Sequence, residues 1–205
     1  MFGNRGPAMW KTSLFFQTPD DYLVSLDALT GKELWHTQEA GLEEQYFASI
    51  APVVAENHVL VGAGNTLNAP GFLQSFDPED GHLQWKHYSV PMNKGDPGLE
   101  TWKDLDAARH AGGQVWMPGA YDPKTHLYIY GTGNPTPAYV AEARGNALFT
   151  CTILAVNVDS EKMVWYYQTS PNDTHDWDST QTPILAEVMV GGRKRDVAMA
   201  AERNG

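Results

Sequence analysis

Leu26-Asp27-Ala28-Leu29-Thr30-Gly31-Lys32-Glu33-Leu34-Trp35 is answered by Phe76-Asp77-Pro78-Glu79-Asp80-Gly81-His82-Leu83-Gln84-Trp85, and again by Val156-Asn157-Val158-Asp159-Ser160-Glu161-Lys162-Met163-Val164-Trp165. Each copy runs from an apolar strand through Asp or Asn and a short turn into a second strand. That strand closes on Trp eight residues after the Asp or Asn. The pattern is that of a hairpin. Asp or Asn opens the turn with a side-chain hydrogen bond, Gly takes positive φ, and the Trp ring docks against a neighbouring sheet. A degenerate fourth copy runs from Ala120-Tyr121-Asp122 to Tyr128-Ile129-Tyr130.

Working outward, further strand candidates lie between the copies at 13–17, 51–61, 184–190 and 197–201. Units of roughly 40–50 residues with about four short strands each describe β-propeller blades. An open β-solenoid competes, but the repeats are long and rich in turns for one. The expected fold is therefore all-β, a propeller with Trp-docking repeats and about four blades. The segment from Met92 to Gly113 breaks the rhythm and reads as a polar, irregular excursion on one face. Long loops on a rigid scaffold are where function usually sits.

The composition bounds what such a protein does. Seven Trp and nine Tyr, with frequent Gly and Pro, suit a turn-rich β protein. A net charge of −11 argues against nucleic acid and anionic membrane surfaces as partners. The one basic cluster, Arg193-Lys194-Arg195, reads as a solvated hairpin tip after Gly191-Gly192. Cys151 is the sole cysteine and lies in an apolar run, as a small core residue would. No transmembrane stretch is evident, and the first six residues hold no signal-peptide apolar region.

Chemistry concentrates in the loop from Ser170 to Gln181. Asp173, Asp176 and Asp178 fall within six residues, with His175 and Trp177 between them. In an extended segment the i, i+2 pair Asp176 and Asp178 would face one side, so that both could reach one hard cation. A solvated Asx turn accounts for the same residues.

With Gly112-Gly113-Gln114-Val115-Trp116, Tyr121-Asp122-Pro123, Gly131-Thr132-Gly133-Asn134-Pro135 and Asp176-Trp177-Asp178 on the page, the chain resembles the pyrroloquinoline quinone (PQQ)-dependent alcohol and methanol dehydrogenases. The resemblance covers essentially all of residues 1–205. It implies a partial quinoprotein domain, about half of an eight-bladed ring with PQQ and a calcium or lanthanide ion on its axis. Trp116, by itself a plausible core residue, matches the indole on which the quinone stacks. Asn134, by itself a turn residue, matches a metal ligand. Asp176 matches the catalytic base and a metal ligand. Asp178 falls where lanthanide-using members carry an extra carboxylate. Arg5 matches an arginine near the quinone, and Ser49, Gly64 and Gln114 fall at cofactor-lining positions.

The implied activity is oxidation of an alcohol to an aldehyde by hydride transfer to metal-bound PQQ. A cytochrome c-type acceptor and a periplasmic location are implied with it. Two departures stand out. The loop from Gly64 to Gly71 has no acid where the family places a metal-binding carboxylate, close to Thr66. Several blades of the family ring, and its adjacent-cysteine disulfide, find no counterpart here, so a fragment is expected. Two other readings remain: a non-catalytic propeller scaffold of outer-membrane assembly type, and a degenerate homologue without metal. A scaffold has no reason to combine Trp116, Asn134 and Asp176.

Overall fold

The computed structural model describes residues 4–65, 67–110, 112–140 and 145–205. Strands β1 (Ala8–Trp10), β2 (Ser13–Gln17), β3 (Tyr22–Asp27) and β4 (Glu33–Gln38) form the first sheet, in sequence order. Strands β5 (Val53–Ala55), β6 (His58–Ala63), β7 (Phe72–Phe76) and β8 (Leu83–Tyr88) form the second. Strands β9 (Ala120–Asp122), β10 (Leu127–Gly131), β11 (Thr152–Asn157) and β12 (Met163–Gln168) form the third. A hairpin of β13 (Ile184–Val190) and β14 (Arg193–Met199) forms the fourth, two-stranded sheet. The four antiparallel sheets are the architecture expected from the repeats.

The repeated motif builds the β3–β4, β7–β8 and β11–β12 hairpins. Asp27 Oδ1 accepts from the amides of Leu29 and Thr30 (3.1 and 2.7 Å), and Asn157 Oδ1 from that of Ser160 (3.0 Å). Gly31 and Gly81 sit at φ 71° and 74°. In the third copy Glu161 takes the same left-handed place at φ 63° without glycine's freedom. All three hairpins shift register at one position, just before the Asp or Asn, at Ser25/Leu26, Ser75/Phe76 and Ala155/Val156. A bulge there raises the local twist of each sheet.

The Trp that ends each motif reaches the following sheet. Trp35 Nε1 donates to the Pro78 carbonyl (3.3 Å), and Trp85 Nε1 donates to that of Val158 (2.7 Å). Both acceptors lie in the repeated turn of the next sheet. Trp165 makes no such bond among the described residues and is 36% exposed. Between the sheets, the core gathers Phe15, Leu23, Leu60, Leu73, Phe76, Tyr128, Tyr130 and Leu154. Trp85→Phe keeps the apolar body but removes the indole donor, leaving the carbonyl of the buried Val158 short of a partner. We expect a loss of about 1–2 kcal/mol in chemical denaturation. An unchanged midpoint would show that the indole does not tie the two sheets together.

Three expectations need correction. The stretch 51–61 is two strands, because Glu56 turns the chain at φ 57° between β5 and β6. Strand β14 starts at Arg193, so the basic residues lie within the strand and only Gly191-Gly192, at φ 59° and 76°, make the tip. The excursion from Met92 to Gly113 is not irregular throughout. It carries a 3-10 turn (Leu99–Thr101) and a helix α1 (Leu105–Arg109), whose N-cap Asp104 accepts from the Ala107 amide. A small core of its own joins Val90, Trp102, Ala108 and Ala147. Cys151 is fully buried, as its apolar run suggested, and burial pushes its thiol well above the ordinary range.

Candidate functional site

Antiparallel order sorts the connections. In each four-stranded sheet, the turns joining its first two and last two strands lie at one end. The middle connection, and the entry and exit of the sheet, lie at the other. Arg5 precedes β1, Phe47 and Ser49 lie between β4 and β5, and Gly64 and Asn65 follow β6. Gln114 and Trp116 precede β9, Asn134 follows β10, and Asp176 and Asp178 lie between β12 and β13. All ten residues line one cleft of about 300 Å³. All eight residues singled out from the sequence are therefore brought to one place.

The cleft is built by backbone that passes close to backbone. The segment from Gly112 to Trp116 lines it through Gln114 and Trp116, with the Gly113 amide donating to Asn134 O (3.1 Å) and Gly133 N to Gln114 O (2.8 Å). At Gly133 a Cβ would lie 2.3 Å from Gln114 Oε1 and 2.9 Å from Asp178 Oδ1, so a larger residue would push these side chains from their places. Gln114 donates through Nε2 to the Asn65 carbonyl (2.8 Å), while its buried Oε1 has no partner. Arg5 Nη1 donates to the Ser49 carbonyl and hydroxyl (2.9 and 2.8 Å), and its guanidinium lies 4.9 Å over the Trp116 ring.

The carboxylate loop is not the extended segment assumed from the sequence. Asn172, Asp176 and Asp178 sit at φ 50°, 60° and 54°. Asp173, almost fully buried, shapes this path by accepting from the amides of His175 (3.1 Å) and Trp177 (3.0 Å). It is the loop's fastener, and Asp176 and Asp178 are the two carboxylates left to face the cleft. Asp178 Oδ1 accepts from the Asn134 amide at 2.8 Å. Burial pushes its carboxyl up to about 6; the Asn134 amide opposes the shift, the Asp176 charge adds to it and Arg203 opposes it. Asp176 Oδ2 accepts from the Tyr139 hydroxyl (3.3 Å), and the Asp176 carbonyl accepts from Arg203 Nη1 (3.1 Å).

Tyr139, Arg203, Phe47 and Asn65 were not singled out from the sequence. Asn65 had a legible signal, an Asx residue opening the loop from Gly64 to Gly71. Its Oδ1 accepts from the amides of Leu67, Asn68 and Ala69 (3.0, 3.1 and 3.0 Å). Thr66, where an acid was missed, lies outside the described residues. Arg203 and Tyr139 had no local signal, since each acts on Asp176 from another connection.

The family model described as "PQQ: Glucose/ethanol/alcohol dehydrogenase, beta-propeller domain" matches residues 39–205. The chain belongs to this family. Quinohemoprotein alcohol dehydrogenase ADH IIB of Pseudomonas putida is 36% identical to this PQQ-family chain over 98% of its residues. Quinoprotein alcohol dehydrogenase PedH of the same species is 33% identical over 98%. The chain spans 31% and 36% of the length of these two relatives. Among solved structures, quinohemoprotein alcohol dehydrogenase ADHIIG from Pseudomonas putida superposes with a TM-score of 0.91 at 34% identity. That match covers 99% of this chain and 32% of the other. A europium-containing methanol dehydrogenase gives 0.90 at 32% identity, covering 99% of this chain and 38% of the other. The fold of this PQQ-family chain is accordingly part of a propeller.

The donor set fits the family's groups. Asn134 Nδ2 donates to the Pro135 carbonyl (2.9 Å), and its amide oxygen accepts no hydrogen bond among the described residues. That oxygen and two carboxylates make an all-oxygen set suited to a hard cation. The unpartnered Gln114 Oε1 and the indole of Trp116 suit the polar edge and flat face of a quinone.

Proposed function

We propose that residues 1–205 are the cofactor-facing part of a PQQ-dependent alcohol dehydrogenase domain that oxidises an alcohol to an aldehyde. The observation that supports it most is the convergence of Arg5, Gln114, Trp116, Asn134, Asp176 and Asp178 on one cleft. When bound, PQQ supplies the hydride acceptor, and a calcium or lanthanide ion polarises it. Trp116 supplies a flat apolar floor, and Arg5 a fixed cation beside it. Ser49 lines the cleft beside Arg5, and Gly64 lines it against Gln114. Asn134, Asp176 and Asp178 are the residues that would hold the ion.

Asp176 is the base. Tyr139 occupies its Oδ2, which leaves Oδ1 to take the alcohol's hydroxyl proton, and Arg203 holds its backbone in place. A periplasmic location and a cytochrome c-type electron acceptor go with this reading. The acceptor is supported by relatives named as quinohemoproteins; no described helix is long and apolar enough to cross a membrane. A non-catalytic scaffold would have no use for two carboxylates, an amide and an indole in one cleft.

The choice of ion tests the site. Asp178 adds a second carboxylate, and the Coulomb gain from each anionic oxygen scales with the charge of the ion. The enzyme, reconstituted with PQQ, is expected to reduce dye faster with a light lanthanide than with calcium. Asp178→Ala should cost the lanthanide-supported rate about tenfold more than the calcium-supported rate, one decade being about 1.4 kcal/mol of lost preference. Equal activity with both ions before and after the change would remove Asp178 from the ligand set.

A further inference from the structure

The first and second sheets enclose a second group of oxygens, none of which lines the cleft. Gln17 ends β2, Asp21 precedes β3 and Glu39 follows β4, while Gln74 lies within β7 of the next sheet. They are 1%, 1%, 4% and 2% exposed. Register puts them together. The Glu39 amide donates to the Asp21 carbonyl (2.8 Å), continuing the β3–β4 ladder, and Gln17 pairs with Leu23 on the same sheet. Gln17 Nε2 donates to Glu39 Oε2 (2.5 Å) and reaches across to the Gly62 carbonyl (3.3 Å). Gln74 Nε2 donates to the Glu39 carbonyl (3.1 Å).

With both amide nitrogens spent on Glu39, what remains is acceptors. Gln17 Oε1, Asp21 Oδ1 and Oδ2, Glu39 Oε1 and Gln74 Oε1 are all buried without a hydrogen-bond partner among the described residues. The Ala48 amide faces Asp21 and softens its charge, but not within hydrogen-bond geometry. Lys86 is the cation whose charge reaches Glu39, yet its ammonium sits 3.7 Å over the Phe72 ring. The lysine ion pairs among the described residues join Lys11 to Glu79, Lys124 to Asp196 and Lys194 to Glu187, never Asp21 or Glu39. Asp20 and Glu44 add further negative charge nearby.

Buried acceptors with no donor are costly, and two carboxylates among them more so. A single added donor would not mend the group, because five acceptor atoms stand without a partner. We propose that Asp21 and Glu39, with the amide oxygens of Gln17 and Gln74, hold a calcium-class divalent cation between the first and second sheets. Two carboxylates balance its charge, and hard oxygens with no nitrogen or sulfur set its class. The ion joins β2, β3 and β4 to β7, and so fastens one sheet to the next beneath the connection that carries Phe47 and Ser49. The site shares no residue with the cleft and does not depend on the function proposed for it.

The test separates the two. The 205-residue chain with Asp176→Ala and Asp178→Ala, which removes both carboxylates from the cleft, is dialysed against millimolar calcium and its bound metal is counted. One calcium per chain is expected, with a thermal midpoint that rises on adding calcium. Adding Glu39→Gln or Asp21→Asn should abolish both effects, whereas Asp80→Asn in the exposed β7–β8 turn should leave them. Crystals of the cleft-disabled chain should show the ion among Gln17, Asp21, Glu39 and Gln74, which decides the matter even if the additional variants fail to fold. No bound calcium in the cleft-disabled chain, or an ion located elsewhere, overturns the proposal. So does a Glu39→Gln chain that is more stable with or without calcium, since a shared proton would then be the occupant.

Discussion

Asp176→Asn in the PQQ-reconstituted enzyme lowers alcohol oxidation by about 10²–10⁴-fold, the usual contribution of a positioned base. The change keeps an oxygen toward the cation and leaves the Trp116 floor untouched, so PQQ should remain bound. The amide cannot take the hydroxyl proton, and the loss should therefore fall on kcat rather than on cofactor retention. Tyr139 and Arg203 hold the residue from two other connections, which makes gross movement of the loop an unattractive explanation of the loss. Absorbance of bound PQQ and steady-state dye reduction, measured on one preparation, check both halves. Activity within a few-fold of the parent, with PQQ bound, would show that Asp176 is not the base.

Gly131→Ala is the second large effect, and it acts on stability and site together. Gly131 ends β10, where a Cβ would lie 1.5 Å from the Ser179 carbonyl oxygen and 2.9 Å from Thr180 Cα. Those atoms are backbone of a buried segment, Ser179 being fully buried and its amide donating to Thr132 O (3.1 Å). No rotamer change relieves such an overlap; one of the two chains has to move. Overpacking of this kind costs about 1–3 kcal/mol where side chains can give, and backbone against backbone belongs at the upper end. Because Ser179 follows Asp178, the displacement also pulls the carboxylate from the Asn134 amide. Denaturant unfolding should show a midpoint loss of about 3 kcal/mol, and the variant should bind the ion poorly. Parental stability would mean that β10 and the carboxylate loop are not in contact.

The sequence was legible where chemistry is local. Asp27, Asp77 and Asn157 open turns through their own side chains, and the Trp that follows each of them repeats at fixed distance, so the hairpins could be read directly. The β5–β6 hairpin was missed because its turn uses Glu56 in a left-handed conformation, with no Gly or Asn-Gly to mark it. Family resemblance located the cleft residues, and the periodic pattern did not. The spacing argument for Asp176 and Asp178 rested on an extended backbone, but the structure uses left-handed residues fastened by Asp173. Nor could any local rule pair Gln17 with Glu39, or Tyr139 with Asp176. Those contacts depend on which connections share one end of the sheets, a property of topology.

The indole bonds also say how this molecule comes apart. Trp35 reaches the second sheet and Trp85 the third, so the two indoles add a row of links between neighbours to the core that the three sheets share. Such a row behaves as a nearest-neighbour array, in which each unit is as secure as the units flanking it. Trp165 makes no such bond among the described residues, and β13 and β14 form a sheet of two strands. Amide protons of β13 and β14, in a two-stranded sheet, should therefore exchange before those of β6 and β7, whose sheet is gripped from both sides.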